Sequence, residues 1–190
     1  MEGLGKGIFA NIILKYLREN HHEPVIEKVS KMLGKPLKYI DFFDYPIPEF
    51  MILIEEIAKE VFPHKTLEDA CYELGRISIN KVLDIPVAKV AIAYARKNIH
   101  GAVKNVPLYF SQFARMGEVA VSQPNQNSYE VRFKEWQGYP HYTYAMLVFS
   151  VKEIDPNMKL KLEVRDVKIL GKGKVISDFS CILELPKDKE

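Results

Sequence analysis

The chain has 190 residues, 47% of them apolar and 27% charged, and a net charge of +2 at neutral pH. That length can bury a full core, and the near balance of interspersed charges leaves no basic footprint for nucleic acid. Its two cysteines, Cys71 and Cys181, lie far apart and outside any CxxC spacing. They argue against a disulfide framework or a zinc site and for two small buried hydrophobes.

The stretch Met1–Asn20 lacks the basic, apolar and cleavage segments of a secretory signal. The longest nearly apolar run, around Tyr144–Val151, is too short to cross a bilayer. A cytoplasmic location without membrane insertion is therefore expected. Gly3–Gly7 reads as a flexible lead into the first helix, because a P-loop needs four residues between its glycines and then Lys-Ser/Thr.

Helices dominate the first half. Ile8, Phe9, Ile12, Ile13, Tyr16 and Leu17 recur at three- and four-residue intervals on one face. A second helix carries Val25, Ile26, Val29, Met32 and Leu33 on one side and stops at Gly34. Pro36, Pro46 and Pro48 make the next segment mostly connection. From Pro48 onward Phe50, Ile54, Ile57, Ala58 and Val61 are expected to face inward, with Glu55 and Glu56 on the exposed side. Thr66 and Asp69 form a capping-box-like start, after which Leu67, Ala70, Cys71, Leu74, Ser78 and Val82 share a face. A further helix follows Pro86, with Val87, Val90, Ala91, Tyr94 and Ala95 as its stripe. Asn105–Glu118 completes the helical half, ending at Gly117.

The second half changes period. Glu118–Gln123 and Tyr129–Trp136 alternate, separated by a turn-rich Pro124–Ser128. Leu160, Leu162 and Val164 alternate, but Val167 and Ile169 resume one residue out of step. A β-bulge at Arg165-Asp166 accounts for that slip. Residues 160–169 and 174–185 read as a hairpin turning at Gly171–Gly173. Between the two strand pairs, Pro140 suits a first helical turn, and Tyr144, Leu147, Val148, Val151 and Ile154 keep helical spacing. The terminal Pro186–Glu190 reads as a solvated tail.

No catalytic signature emerges. Neither GxSxG nor HExxH occurs, and Glu55-Glu56 and Glu68-Asp69 are adjacent helical positions that diverge by roughly 100°. A metal site from the five histidines would have to assemble from distant segments; His64 and His141 adjoin apolar stretches. Tyr109, Phe110 and Phe113, with Arg115 beside them, read either as core or as the aromatic wall of an apolar cavity with a charge at its rim. Arg76 is either an ion-paired surface group or a charge held beside a close-packed point.

Phe62-Pro63 followed by Leu74-Gly75-Arg76, within this order of elements, resembles a bacterial family of unknown function, about 200 residues long and expanded in myxobacteria. That family is similar to a broader group of 4-vinyl reductase-type, haem–nitric-oxide-binding and Bet3-like domains. The haem-sensing branch carries Tyr-x-Ser-x-Arg; here Tyr109 and Ser111 are followed by Arg115 two places late, and no axial histidine is carried over. The resemblance implies an α+β fold, a helical N-terminal half packed on a small antiparallel sheet formed mainly by the C-terminal half. It runs from about Gly7 to Leu185, and the chain reads as one domain, 1–190, with a helical part at 1–117 and a sheet with one inserted helix at 118–186. The resemblance implies a non-enzymatic ligand-binding or sensory role with an apolar cavity between helices and sheet. The alternative is a homodimeric scaffold without a small ligand. Cys71, Gly75, Arg76, Tyr109, Phe113 and Arg115 are the ligand-binding candidates, with the cavity expected near Cys71, Gly75 and Phe113. No cofactor is assigned.

Overall fold

The computed structural model describes residues 3–186. The expected solvated tail lies outside the described residues from Lys187 onward, as does the Val87 side chain. Strand β1 (Leu4–Lys6) leads into α1 (Gly7–Glu19) and α2 (Glu23–Leu33); β2 (Asp44–Pro46) then precedes α3 (Ile47–Glu60) and α4 (Leu67–Leu83). Next come α5 (Pro86–Lys97), α6 (Ile99–Lys104), α7 (Val106–Phe113), β3 (Ala114–Arg115), β4 (Glu118–Asn125) and β5 (Ser128–Trp136). Helix α8 (Pro140–Ile154) and the hairpin β6 (Lys159–Gly171) and β7 (Lys174–Glu184) complete the fold. The larger sheet has the order β4-β5-β7-β6 and is antiparallel throughout. This is the α+β arrangement read from the sequence, with the inserted helix and the closing hairpin where the periodicity put them.

One contiguous core joins the two halves. Ile13, Leu14 and Leu17 of α1, Met51, Ile54 and Ile57 of α3, and Cys71 and Leu74 of α4 meet Val131, Phe133, Trp136, Phe179 and Cys181 of the sheet. The β5–β7 register explains the match: alternate positions Val131, Phe133, Cys181 and Phe179 face the helices. Between them Phe133 stacks on Phe179 at 4.5 Å and 7°. A smaller cluster of Val103, Tyr129, Val151, Met158 and Leu183 lies under α6 and α8.

Several expectations are corrected. Residues 4–6 are a strand, not a flexible lead: β1 pairs with β2 and β3 in a short antiparallel sheet. Strands of two and three residues leave no alternation to read. The last helix of the first half, α7, stops early at Phe113, where Ala114 turns extended (φ −156°, ψ 138°) to pair with Gly5, and a separate short helix, α6, precedes it. Helix α5 is rotated from the expected stripe. Ala95 is buried, whereas Val90 is 71% exposed and Tyr94 is also open to solvent. Ala88, Ile92 and Ala95 face inward instead, while Ala91 and Ala93 are exposed along with Val90 and Tyr94. Met32 and Leu67, expected on inward faces, are exposed.

The largest correction concerns Glu55 and Glu56, which are buried. The Gly171–Gly173 hairpin tip lies on α3, where Gly173 donates its amide to Glu55 Oε1 at 3.1 Å and Tyr139 donates its hydroxyl to the same oxygen at 2.9 Å. Glu56 is 2% exposed and meets Lys28 at 2.7 Å, Lys172 at 3.0 Å and Lys59 at 3.5 Å. Gly173 suits this tip, with φ of +69° and the space of a side chain already taken by Ile52 Cγ1 at 2.7 Å. A helical period cannot reveal a carboxylate buried by a strand tip more than a hundred residues later.

Burial pushes the Glu56 carboxyl up, but the lysines outweigh it and hold its pKa at about 2, against 4.5 in an unfolded chain. A depressed carboxylate stabilises the fold above the unfolded pKa and loses that contribution as pH falls toward the folded one. Stability should therefore decline between about pH 4.5 and 2, less steeply in E56Q than in wild type. At pH 7 E56Q should cost about 1–2 kcal/mol in urea unfolding, limited by the solvent exposure of the three lysines.

Candidate functional site

The candidate residues fall into two places. The first is the contact of α4 with α8. Thr66 caps α4, accepting from the Asp69 amide at 3.1 Å while its hydroxyl meets Asp69 Oδ2 at 2.8 Å. Cys71, Leu74 and Gly75 are then carried to the buried face one and two turns later. Gly75 sits against the Tyr142 carbonyl, and a β-carbon there would also come within 2.9 Å of Ala145 Cβ. On the same face Tyr142 donates to Ser78 Oγ at 2.8 Å. Burial raises the Cys71 thiol well above its usual range and that of Cys181 to about 12, so neither is a ready thiolate. Arg76 turns away and pairs with Glu73 at 2.8 Å. This contact is filled by the chain itself.

The second place is built by α7 and β3. Phe113 meets Phe9 edge-on at 6.1 Å, and Tyr109 is exposed. Phe110 lies edge-on to both Phe133 at 5.2 Å and Trp136 at 5.5 Å, so α7 is pinned to the core by this ring. Arg115 reaches past β1 to Asp44 of β2 at 2.6 Å. Beside them opens a cleft of about 800 Å³ between the short sheet, α7 and the end of the large sheet. Phe110, Leu4 and Val119 give it apolar walls, while Arg115 and Lys168, the acidic Glu118, Glu135, Asp166 and Asp178, and the neutral Gln137 and Ser177 line it with polar groups.

The two neutral groups are fixed in place. Gln137 Oε1 accepts from the Gly3 amide at 2.7 Å, and Ser177 donates to the Gly138 carbonyl at 2.8 Å. At the cleft's edge β5 bulges. Glu135 adopts φ of +50° and gives its amide to Asp178 Oδ1 at 2.6 Å. Of the six candidates only Arg115 lines this cleft; Phe110 was read as part of a possible aromatic wall but not among the six, and Gln137 and Ser177 were not singled out. Phe110 was legible from its neighbours Tyr109 and Phe113, but Gln137 and Ser177 arrive through strand register, which no local motif signals. A second cleft of about 640 Å³, lined by Phe62, Leu67, Tyr139 and Ile169, lies under the α3–α4 corner.

The described histidines are dispersed. His100 Nδ1 meets the buried Tyr129 hydroxyl at 2.6 Å, and His141 lies 3.8 Å from Glu68. Among the described residues no cluster of three His, Cys, Asp or Glu side chains is placed to hold a metal.

The sequence profile of a family described as protein of unknown function, DUF2378, matches residues 2–167. The chain belongs to the DUF2378 family. No curated protein matches it in sequence. Solved H-NOX structures share the fold of this DUF2378 protein. A mutant of T. tengcongensis H-NOX has a TM-score of 0.67 at 13% identity, covering 97% of this chain and 100% of that one. An Fe(II) unliganded H-NOX mutant from K. algicida gives 0.66 at 13%, covering 97% and 98%. An H-NOX structure from work on heme distortion in that family gives 0.67 at 14%, covering 96% and 95%. At such identities the match establishes the fold of the DUF2378 chain and nothing about its ligand. The fold agrees with the haem–nitric-oxide-binding branch of the expected group.

Proposed function

We propose that this chain is a non-enzymatic, cytoplasmic ligand-binding or sensory domain, acting as one unit, that takes a small molecule with an apolar body and a polar head. The observation that carries this reading is the cleft beside α7, where Phe110 and Val119 would flank the apolar body and Arg115 would face the head. The H-NOX fold supports a sensory role by analogy. Among the described residues no helix is long and apolar enough to cross a membrane.

Haem, named with the structural neighbours, does not fit the residues present. A macrocycle needs a plate-shaped apolar space and a ligand aimed into it. The space between helices and sheet is occupied by the Phe133–Phe179 stack with Trp136 and Phe110 edge-on to Phe133. His100 is exposed on α6 with Nδ1 engaged by Tyr129. The proposed ligand therefore belongs in the lateral cleft, not in a core cavity.

Anilinonaphthalene sulfonate, an apolar body with one anionic group, is the probe. Saturable one-to-one fluorescence enhancement is expected, lost in S111W, which fills the cleft, and weakened about tenfold in R115A. Enhancement that persists in S111W overturns the cleft as the site. Hemin added to the same protein should keep the broad Soret absorption of free hemin; a shifted, sharpened Soret band would contradict the filled core.

A further inference from the structure

Among the described residues, strand β6 forms one edge of the large sheet, paired only with β7. Its register with β7 brings Leu160, Leu162, Val164, Val167 and Ile169 opposite Leu183, Cys181, Phe179, Ser177 and Val175, all buried. These five β6 residues thus lie on the face of the sheet that the helices cover elsewhere. At the far half of β6 the cover stops: Val164 is 43%, Val167 40% and Ile169 64% exposed. Natural sheets protect long apolar edges, because an unpaired row of amides and carbonyls templates another strand.

The bulge at Arg165 decides what fits. Val164 pairs with Phe179 and Asp166 with Asp178, so one residue is extra. Arg165 reaches Glu130 at 3.1 Å, on the sheet face opposite the helices. Arg165 and Asp166 therefore share that face and act as one position, and the alternation reverses across them. A strand with unbroken alternation brings like faces together only in registers that pair residues of equal parity. With the bulge, a two-fold axis through Arg165-Asp166 instead sets Val164 opposite Val167 of a second copy and Leu162 opposite Ile169. On the other face Glu163 then meets Lys168, and Arg165 meets Asp166.

We propose that β6 is a homodimer interface in which two copies pair antiparallel about this axis, joining their four-stranded sheets into one of eight strands. From Leu162 to Ile169 each apolar residue meets an apolar one and each charge an opposite one; outside that span Lys161 falls opposite Leu170 and Leu160 opposite Gly171. An isologous contact requires that self-complementarity, whereas a foreign strand would leave it without a reason. The second cleft is continuous with the interface. Ile169 lines it together with Phe62 and Leu67, providing an apolar wall for the incoming strand.

Sedimentation velocity on the full chain tests this. The wild type should sediment at twice its 21.9 kDa mass. E163K, and separately K168E, should each weaken dimerisation at least about tenfold, since each places like charges opposite one another twice. The double variant E163K/K168E restores opposite charges and should restore the dimer. Circular dichroism confirms that each variant is folded, and the double variant keeps the test decisive if one single variant is not. A wild-type monomer at all concentrations, a dimer indifferent to both single swaps, or a double variant that stays monomeric overturns the proposal. So does a monomer that instead binds a foreign strand peptide along β6.

Discussion

Phe133→Ala is expected to lose about 3–5 kcal/mol of stability, a large part of what a protein of this size has. Phe133 is fully buried between the sheet and α7, stacked on Phe179 and edge-on to Phe110 at 5.2 Å and Trp136 at 5.1 Å. Truncation forfeits its transfer energy and leaves a hole that neighbours on three separate elements cannot close together. Thermal unfolding should drop by about ten degrees for a chain of this length. Phe133→Leu, which keeps most of the volume, should recover more than half of the loss. A loss below about 1 kcal/mol for alanine would mean that the stack is not the junction of the two halves.

Gly75 is the second. Inside a helix, glycine to alanine normally gains about 1 kcal/mol. Here the added methyl would collide with the Tyr142 carbonyl and press on Ala145 Cβ at 2.9 Å, and a backbone carbonyl cannot swing aside like a side-chain end. The α4–α8 contact must open, so the sign reverses, with a net loss of about 2 kcal/mol for G75A and more for G75V. Its neighbour provides the contrast. Arg76 is partly exposed and paired with Glu73, and R76A should change stability by no more than about 0.5 kcal/mol. Urea unfolding of the three variants checks the order; a stabilised G75A would show that the two helices are not in close contact.

Much of this fold was legible because its elements obey one period at a time. The α8 helix followed from Pro140 and the spacing of Tyr144, Val148 and Val151, and the β6 bulge from the single slip at Arg165. The capping at Thr66 and the burial of Cys71 were likewise written locally. What could not be read depends on contacts distant in sequence. Glu55 and Glu56 look exposed by helical phase and are buried by Gly173 and Lys172. The short strands β1, β2 and β3 exist because three segments meet, and each alone carries no pattern. The α5 stripe failed because the face turned inward, with Ala88, Ile92 and Ala95, is set by the neighbouring helices and not by the Val90–Tyr94 pattern.

The candidate site shows the same division. The Leu74-Gly75-Arg76 phrase reads as a marker and in the structure is a packing surface, with Arg76 an ion-paired group at its edge. Of the aromatic segment Tyr109–Phe113, the ring that lines the proposed cleft is Phe110. Its polar partners Gln137 and Ser177 come from the bend just after β5 and from β7 beside it.

The most direct measurement is the location of the bound probe by amide chemical shifts in the uniformly labelled protein. With anilinonaphthalene sulfonate added, the amides of Arg115, Gly117, Gln137 and Ser177 should move together and saturate at one equivalent. Cys71 and Gly75 should stay where they are. Perturbations centred on α4 and α8, with the cleft amides unmoved, would contradict a ligand site beside α7.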